Sequence, residues 1–248
     1  MSGVSRPRSV ILQSNRVAAY EQALQQLRRQ GDAYPCRCSR SDIAREIARQ
    51  QGGTPLARHE MGGMIYPGTC RPVNHGQELT ESDGPIAWRL LVGDASIRWR
   101  DRSAGFDQGK EQTESLAPTV GDFALRRRDA LWSYQLAVVV DDAHSGITDI
   151  VRGVDLADSN ARQIYLRERL GLPNIRSLHF PVLEDAEGKK VSKQAGAPAI
   201  DTSGSEADRI RLLNKAVKFL SIDEIHAETI DAFWETATQR WRQSAWLA

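Results

Sequence analysis

The sequence has no apolar run near the roughly 18–20 residues that a membrane-spanning helix needs. Its opening, "MSGVSRPRSVILQSNR", has no long apolar stretch of the kind that forms the middle of a signal peptide. Both absences point to a cytoplasmic protein with no membrane partner. Cysteine is scarce, with three in 248 residues, and disulfides are uncommon in that compartment. The three are therefore read as reduced thiols or metal ligands. Charge of one sign is lacking too: 33 Lys and Arg face 32 Asp and Glu, for a net charge of +1. This balance neither demands nor excludes nucleic acid, because a basic face can be offset elsewhere. There is no internal repeat and no low-complexity tract. What remains, 40% hydrophobic and 26% charged, is ordinary globular composition, long enough for one large domain or two small ones.

Periodicity divides the chain into readable segments. "SNRVAAYEQALQQLRRQG" predicts a helix capped by Ser14 or Asn15, with Val17, Tyr20, Leu24 and Leu27 on one face and Gly31 as its stop. "SRSDIAREIARQQGG" predicts a shorter helix ending at Gly52 and Gly53, and residues 52–84 read as irregular. "IAWRLLV" and "SIRWR" alternate as strands do, and "DFALRRRDALWSY" predicts a strand to about Arg127 followed by a turn at Arg128–Ala130. "QLAVVVDDA" fits a buried strand or a buried helix, the helix being favoured; Asp141 and Asp142 then mark the exposed end of an element. "GITDIVRG" and "RSLHFPVLED" read as strands around a helix, "SNARQIYLRERLG", capped near Ser159 and stopped by Gly171. From Ser205 the chain is helical, opening on a Ser205-x-x-Asp208 capping box and closing on "TIDAFWETATQRWRQ". Strands alternating with helices in the second half predict α/β layering with a helical tail.

Three constellations carry chemistry. Cys36 and Cys38 form C-x-C, and Cys70 follows in "IYPGTCR". Thiolates are soft zinc ligands, usually four donors to a structural site, so one donor is missing. Tyr66 and His59 are the candidates, and the alternative is three unpaired buried cysteines. The second constellation is "RRRDALWSYQLAVVVDD" with "TDIVRGVDL". A pocket here carries the phenol of Tyr134 and the guanidinium of Arg152, whose planar fork matches a carboxylate. The alternative makes Tyr134 a packing residue and pairs Arg152 with Asp149 or Asp155 on the surface. The third is "GKKVSKQ", where Lys190, Ser192 and Lys193 sit on a loop after a strand. Ammonium groups there can neutralise charge that develops on a triphosphate, although lysine-rich loops are common and the loop taken alone reads as merely solvated.

In this order, the three resemble the class I aminoacyl-tRNA synthetases of the glutamyl type. Within them the match is best to the short branch that glutamylates queuosine in tRNA(Asp). "YPCRCSR…MIYPGTCR" looks like that family's zinc site, "RRRDALWSYQLAVVVDDAHSGITDIVRGVDL" is similar to its second substrate-binding block, and "GKKVSKQ" looks like its variant K-M-S-K-S loop. The resemblance spans residues from about 10 to 240, and the middle block is its most specific part. It implies an α/β fold: part of a Rossmann-type class I catalytic domain with a zinc-binding insertion and a C-terminal helical region. The implied segments are a helical catalytic remnant at 1–32, a zinc-containing insertion at 33–120, the second half of the catalytic domain at 121–200 and helices at 201–248. It makes Cys36, Cys38, Tyr66 and Cys70 ligands of one Zn2+ per chain, and Tyr134 and Arg152 glutamate-binding residues. Lys190, Ser192 and Lys193 become ATP-binding, with Lys193 the catalytic lysine. The implied partners are ATP with Mg2+, L-glutamate and tRNA(Asp) carrying queuosine, acted on by a monomer.

Two other readings stay open. The chain could be a fragment of a complete glutamyl-tRNA synthetase, but only 54 residues follow Gln194, too few for a full anticodon-binding domain. It could also be a non-catalytic, zinc-stabilised module that binds RNA or protein. That reading draws on the beginning of the chain. About 14 residues precede the first helix and contain no H-x-G-x motif, so the expectation is a catalytic domain short of its N-terminal part and unable to form an adenylate.

Overall fold

The computed structural model of the protein describes residues 10–50, 64–72, 84–103, 111–185, 190–191, 196 and 199–244. They form two compact units, each assembled from several chain segments. The first takes residues up to Trp99, Gln112–Thr148 and Asp158–Ile175; the second takes Arg100–Glu111, Asp149–Ala157 and the chain from Arg176 onward. None of the described helices is long and apolar enough to cross a membrane.

In the first unit, α1 (Val17–Gln30) buries Tyr20, Ala23, Leu24 and Leu27. Leu24 and Leu27 each contribute about 1.5–3 kcal/mol when removed from water. Gly31 ends the helix in the left-handed conformation, φ 75°, as its position predicts. The start differs from expectation. Gln13–Asn15 form a 3-10 turn, and the residue flanking the helix is Arg16, which makes no side-chain cap. Val17, predicted on the buried face, is 51% exposed. It shares the angular position of Tyr20 and Leu24 but lies in the first turn, where an aligned face does not guarantee a neighbour.

β1 (Ala33–Cys36), β2 (Ala87–Leu90) and β5 (Ala124–Arg126) make a three-stranded sheet in the order β1-β2-β5, and β2 runs antiparallel to both neighbours. Trp88 and Leu90 of the central strand are buried in the same cluster as Leu125 and the apolar face of α1. β3 (Ser96–Arg100) pairs with β4 (Glu111–Ser115) as a separate two-stranded sheet, and a single turn, α3 (Leu116–Thr119), follows. Beneath β1, α2 (Arg40–Gln50) closes a smaller cluster of Tyr34, Cys36, Ile43, Ile47, Tyr66 and Cys70.

The "QLAVVVDDA" stretch is helical: α4 (Tyr134–His144) is capped by Ser133, whose Oγ accepts from the Leu136 amide at 3.3 Å. Asp141 does not mark an exposed end. It lies inside α4 and accepts from Tyr20 Oη at 2.7 Å, Arg16 Nε at 3.0 Å and Gln13 Nε2 at 3.3 Å. α5 (Ser159–Leu170) packs on α4, with Gln163 Nε2 donating to Gln135 Oε1 and Gln135 Nε2 to Ser159 Oγ, both at 3.0 Å. It ends at Gly171 as predicted, but its flanking residue is Asp158, without a side-chain cap.

In the second unit, β6 (Asp149–Gly153) and β7 (Arg176–Phe180) pair in parallel, with Arg152 opposite His179. Parallel neighbours need a long crossover, and the chain between them contains α5. On the other side of β7, Asp101 forms a bridge to Ser177, and the Arg102 amide donates to the Ser177 carbonyl at 2.8 Å. The tail is α6 (Glu206–Phe219) and α7 (Ile230–Gln243). The predicted Ser205–Asp208 capping box is present in full. Ile210, Val217, Ile225, Phe233 and Ala237 form the core between these helices, and Asn214 clamps the connecting loop with two hydrogen bonds to Ile225.

Candidate active site and metal centre

The sulfurs of Cys36, Cys38 and Cys70 all lie within 4.8 Å of one another, although 32 residues separate Cys38 from Cys70. The end of β1 supplies Cys36, the turn after it Cys38, and the turn at Thr69–Cys70 the third thiol. Cys38 Sγ stands 3.5 Å from Cys70 Sγ. Tyr66 Oη completes the group, 3.3 Å from Cys36 Sγ and 3.8 Å from Cys38 Sγ, and it also accepts from the Cys70 amide at 2.8 Å. Around a tetrahedral zinc with Zn–S bonds of 2.3 Å, neighbouring sulfurs stand about 3.8 Å apart. The three thiols and the phenol therefore fit one tetrahedral ion with little movement. His59, the alternative fourth donor, lies outside the described residues.

The surroundings explain why Tyr66 sits there. Gly121 pairs with Tyr66 in an isolated bridge at φ +64°, and a Cβ on it would come within 2.9 Å of Ile65 Cγ2 and 3.2 Å of the Tyr66 amide nitrogen. Only glycine combines that conformation with that approach. The Arg89 guanidinium lies over the Tyr66 ring, 3.9 Å from its centroid. With no ion bound, burial pushes the Tyr66 phenol well up, with its bonds to Cys36 and Cys70 adding to the shift. Interaction with Cys70, and then burial, raises Cys36 to about 12, while the same interaction lowers Cys70 to about 6. Burial raises Cys38 as well. A thiolate is thus ready at neutral pH, and a bound cation would displace the remaining protons.

The two residues of the expected glutamate pocket belong to different units. Tyr134 is the first residue of α4 in the first unit and is half exposed. Arg152 is in β6 of the second. Asp149 accepts from Arg102 at 3.2 Å and Arg176 at 2.6 Å, and Asp155 holds Lys190 in an ion pair. Arg152 Nε donates to His179 Nε2 at 2.9 Å. His179 is fully buried, and its Nδ1 is bonded to Oδ2 of the equally buried Asp101. Asp101 is pinned in turn: its Oδ1 accepts from the Ser103 amide at 2.9 Å and the His179 amide at 3.1 Å. Sequence reading singled out neither Asp101 nor His179. The available signal was a histidine placed within an otherwise apolar strand, "SLHF", in line with the arginine of the neighbouring strand.

Of the lysine loop, Lys190 is described and Ser192 and Lys193 are not. Lys190 forms a bridge with Glu184, and the Val191 amide donates to the Leu183 carbonyl at 2.8 Å, so the loop leaves a short antiparallel stem. The Lys190 ammonium donates to Asp155 Oδ2, in the turn that follows β6.

Residues 3–226 match the family described as tRNA synthetases class I (E and Q), catalytic domain. A glutamyl-Q tRNA(Asp) synthetase of Albidiferax ferrireducens is 43% identical over 236 residues, which are 89% of this chain and 72% of the relative. One of Burkholderia mallei is 44% identical over 237 residues, 93% of this chain and 72% of the relative. Among solved structures, a glutamate-tRNA synthetase from Elizabethkingia anophelis superimposes with a TM-score of 0.61 at 22% identity. That match covers 77% of this chain and 38% of the longer one, and speaks for the fold alone.

Proposed function

Because the chain belongs to the class I tRNA synthetases (E and Q) and is a ligase of that family, we propose that it serves the ATP-dependent activation of L-glutamate and its transfer to queuosine in tRNA(Asp), with glutamate-dependent ATP–pyrophosphate exchange by these 248 residues as the test of the expectation that they cannot form the adenylate alone. The observation that carries this reading is identity of 43–44% along about nine tenths of the chain to relatives that bear that name.

In the first step a glutamate carboxylate oxygen attacks the α-phosphorus of magnesium-bound ATP, the bond to the β-phosphate oxygen breaks, and pyrophosphate leaves. In the second a hydroxyl of the queuosine cyclopentenediol attacks the activated carbonyl carbon, its proton is lost, and AMP leaves. Neither step needs a covalent nucleophile from the protein; position and charge do the work. Arg152 and Tyr134 hold the glutamate, the guanidinium taking a carboxylate as a planar fork. Lys190, Ser192 and Lys193 bind the triphosphate, with Lys193 the catalytic lysine. In that role Lys190 exchanges its ion pair with Asp155 for phosphate oxygens. Cys36, Cys38, Tyr66 and Cys70 hold one zinc, a structural ion that ties β1 to the turn at Cys70. The division at residues 32, 120 and 200 into catalytic, zinc-bearing, catalytic and helical segments belongs to the same proposal, as does action by a monomer in the cytoplasm.

The test is transfer of labelled glutamate to tRNA from cells that make queuosine and from cells that do not. Label should enter only the queuosine-bearing tRNA(Asp). Equal labelling of tRNA(Glu) at its 3′ end would support a standard glutamyl-tRNA synthetase instead. Binding of tRNA should weaken steeply with salt, since phosphate contacts release counterions.

A further inference from the structure

We propose that Asp101 and His179 are positioning residues that set the orientation of Arg152 for its substrate carboxylate. This deepens the reading that Arg152 binds glutamate and rests on it. The argument begins with hydrogen-bond polarity. An arginine Nε–H can only donate, so His179 Nε2, 2.9 Å away, accepts and carries no proton. The ring proton is therefore on Nδ1, facing Asp101 Oδ2. Asp101 selects that tautomer because an ionised carboxylate has only acceptors to offer. The two backbone amides on its other oxygen prevent it from turning away. The relay thus runs from backbone, to carboxylate, to imidazole, to guanidinium. Its aspartate and histidine are both fully buried. An imidazole acceptor fixes the plane of the guanidinium without adding a negative charge beside it. A carboxylate in the same place would compete with the substrate's own.

The relay separates variants that simple packing would not. Asp101→Asn presents an amide N–H to the ring, which favours the opposite tautomer, with a proton on Nε2 facing the Arg152 donor. His179→Asn keeps a donor near the Nδ1 position but has nothing to reach Arg152, whereas His179→Gln can place an amide oxygen where Nε2 stood. The experiment uses the full 248-residue chain and two readouts. Nitrogen-15 NMR of the histidine ring and of the Arg152 Nε–H needs no substrate, and titration with L-glutamate and with ATP measures binding.

The expected result is a protonated Nδ1 and bare Nε2 on His179, exchanged in Asp101→Asn. Glutamate affinity should fall about tenfold in Asp101→Asn and His179→Asn, the size of one charged hydrogen bond, and recover in His179→Gln. ATP affinity should not change. Unchanged glutamate binding in both variants, beside a loss in Arg152→Ala, would overturn the positioning role alone; so would a proton on Nε2 in the wild type. If glutamate binds equally to wild type and Arg152→Ala, or to neither, the substrate reading falls and the positioning role with it, whatever the ring nitrogens show.

Discussion

Arg71 grips Asp122 through both carboxylate oxygens, Nε to Oδ2 at 2.6 Å and a terminal nitrogen to Oδ1 at 2.9 Å. The carboxylate is fully buried and also accepts from Tyr34 Oη and from the Val92 amide at 2.9 Å. One aspartate therefore fastens the residue beside Cys70 to β1 and to the end of β2, and so holds the turn that carries the third thiol. Asp122→Ala should destabilise the first unit by about 3–5 kcal/mol, because it leaves a partly buried guanidinium, a phenol and an amide without their acceptor. Urea unfolding measures this. A loss below about 1 kcal/mol would mean that water replaces the carboxylate without penalty.

The thiol cluster should take up one zinc per chain, and less tightly as the pH falls. The sign follows from the protons. Cys36, raised to about 12, must give up its proton to bind, while Cys70, lowered to about 6, is already a thiolate at neutrality. Acid restores protons to both and so opposes the metal. Chelator competition across mildly acidic to mildly alkaline buffers gives the slope, and metal analysis gives the stoichiometry. Tyr66→Phe should weaken binding and Cys70→Ser should weaken it more. Zinc retained in Tyr66→Phe but lost in His59→Ala would reassign the fourth ligand.

Arg152→Ala should raise the glutamate KM much more than it lowers kcat. A substrate carboxylate deprived of a charged, hydrogen-bonded partner loses about 2–5 kcal/mol, or a factor of about 30 or more in KM. Tyr134→Phe removes one hydroxyl and should cost about 0.5–1.5 kcal/mol. Glutamate-dependent exchange between ATP and pyrophosphate separates the two constants. A fall in kcat alone would take Arg152 out of ground-state binding.

Alkali should weaken the contact between α1 and α4. Burial first, and then the hydrogen bond to Asp141, raise Tyr20 to about 12. A group whose pKa is raised by folding contributes stability that is fully present below its unfolded value, near 10, and is lost as the pH climbs through 12. Unfolding midpoints should therefore fall above about pH 10 in the wild type and fall less in Tyr20→Phe. Parallel curves for the two proteins would remove Tyr20 from the alkaline transition.

Elements with strong local periodicity were legible along the chain. Tyr20, Leu24 and Leu27 at helical spacing, Gly31 and Gly171 as stops, and the Ser205–Asp208 box all appear where their chemistry puts them. β1 and β4 were not legible. Pro35 interrupts the strand signal of the first, and the second, "EQTES", has no apolar face to alternate. Both are strands because a neighbour offers them hydrogen bonds, and one sequence window does not contain the neighbour.

The same division runs through the candidate site. Thiols spaced C-x-C, an arginine in a strand and a lysine-rich loop announce their chemistry by residue type, which belongs to the chain alone. Long-range contacts depend on how the chain folds back. Tyr66 meets the thiols because Gly121 permits the approach. Asp141, which reads as a surface residue, is drawn in by Arg16 and Tyr20 more than 100 positions earlier. Arg152 is held by a histidine 27 residues away, and that histidine by an aspartate 78 residues from it. Hydrogen bonds act over about 3 Å of space and take no account of distance along the chain. Composition and spacing could therefore name candidate groups, while the pairing of strands β6 and β7 set Arg152 opposite His179.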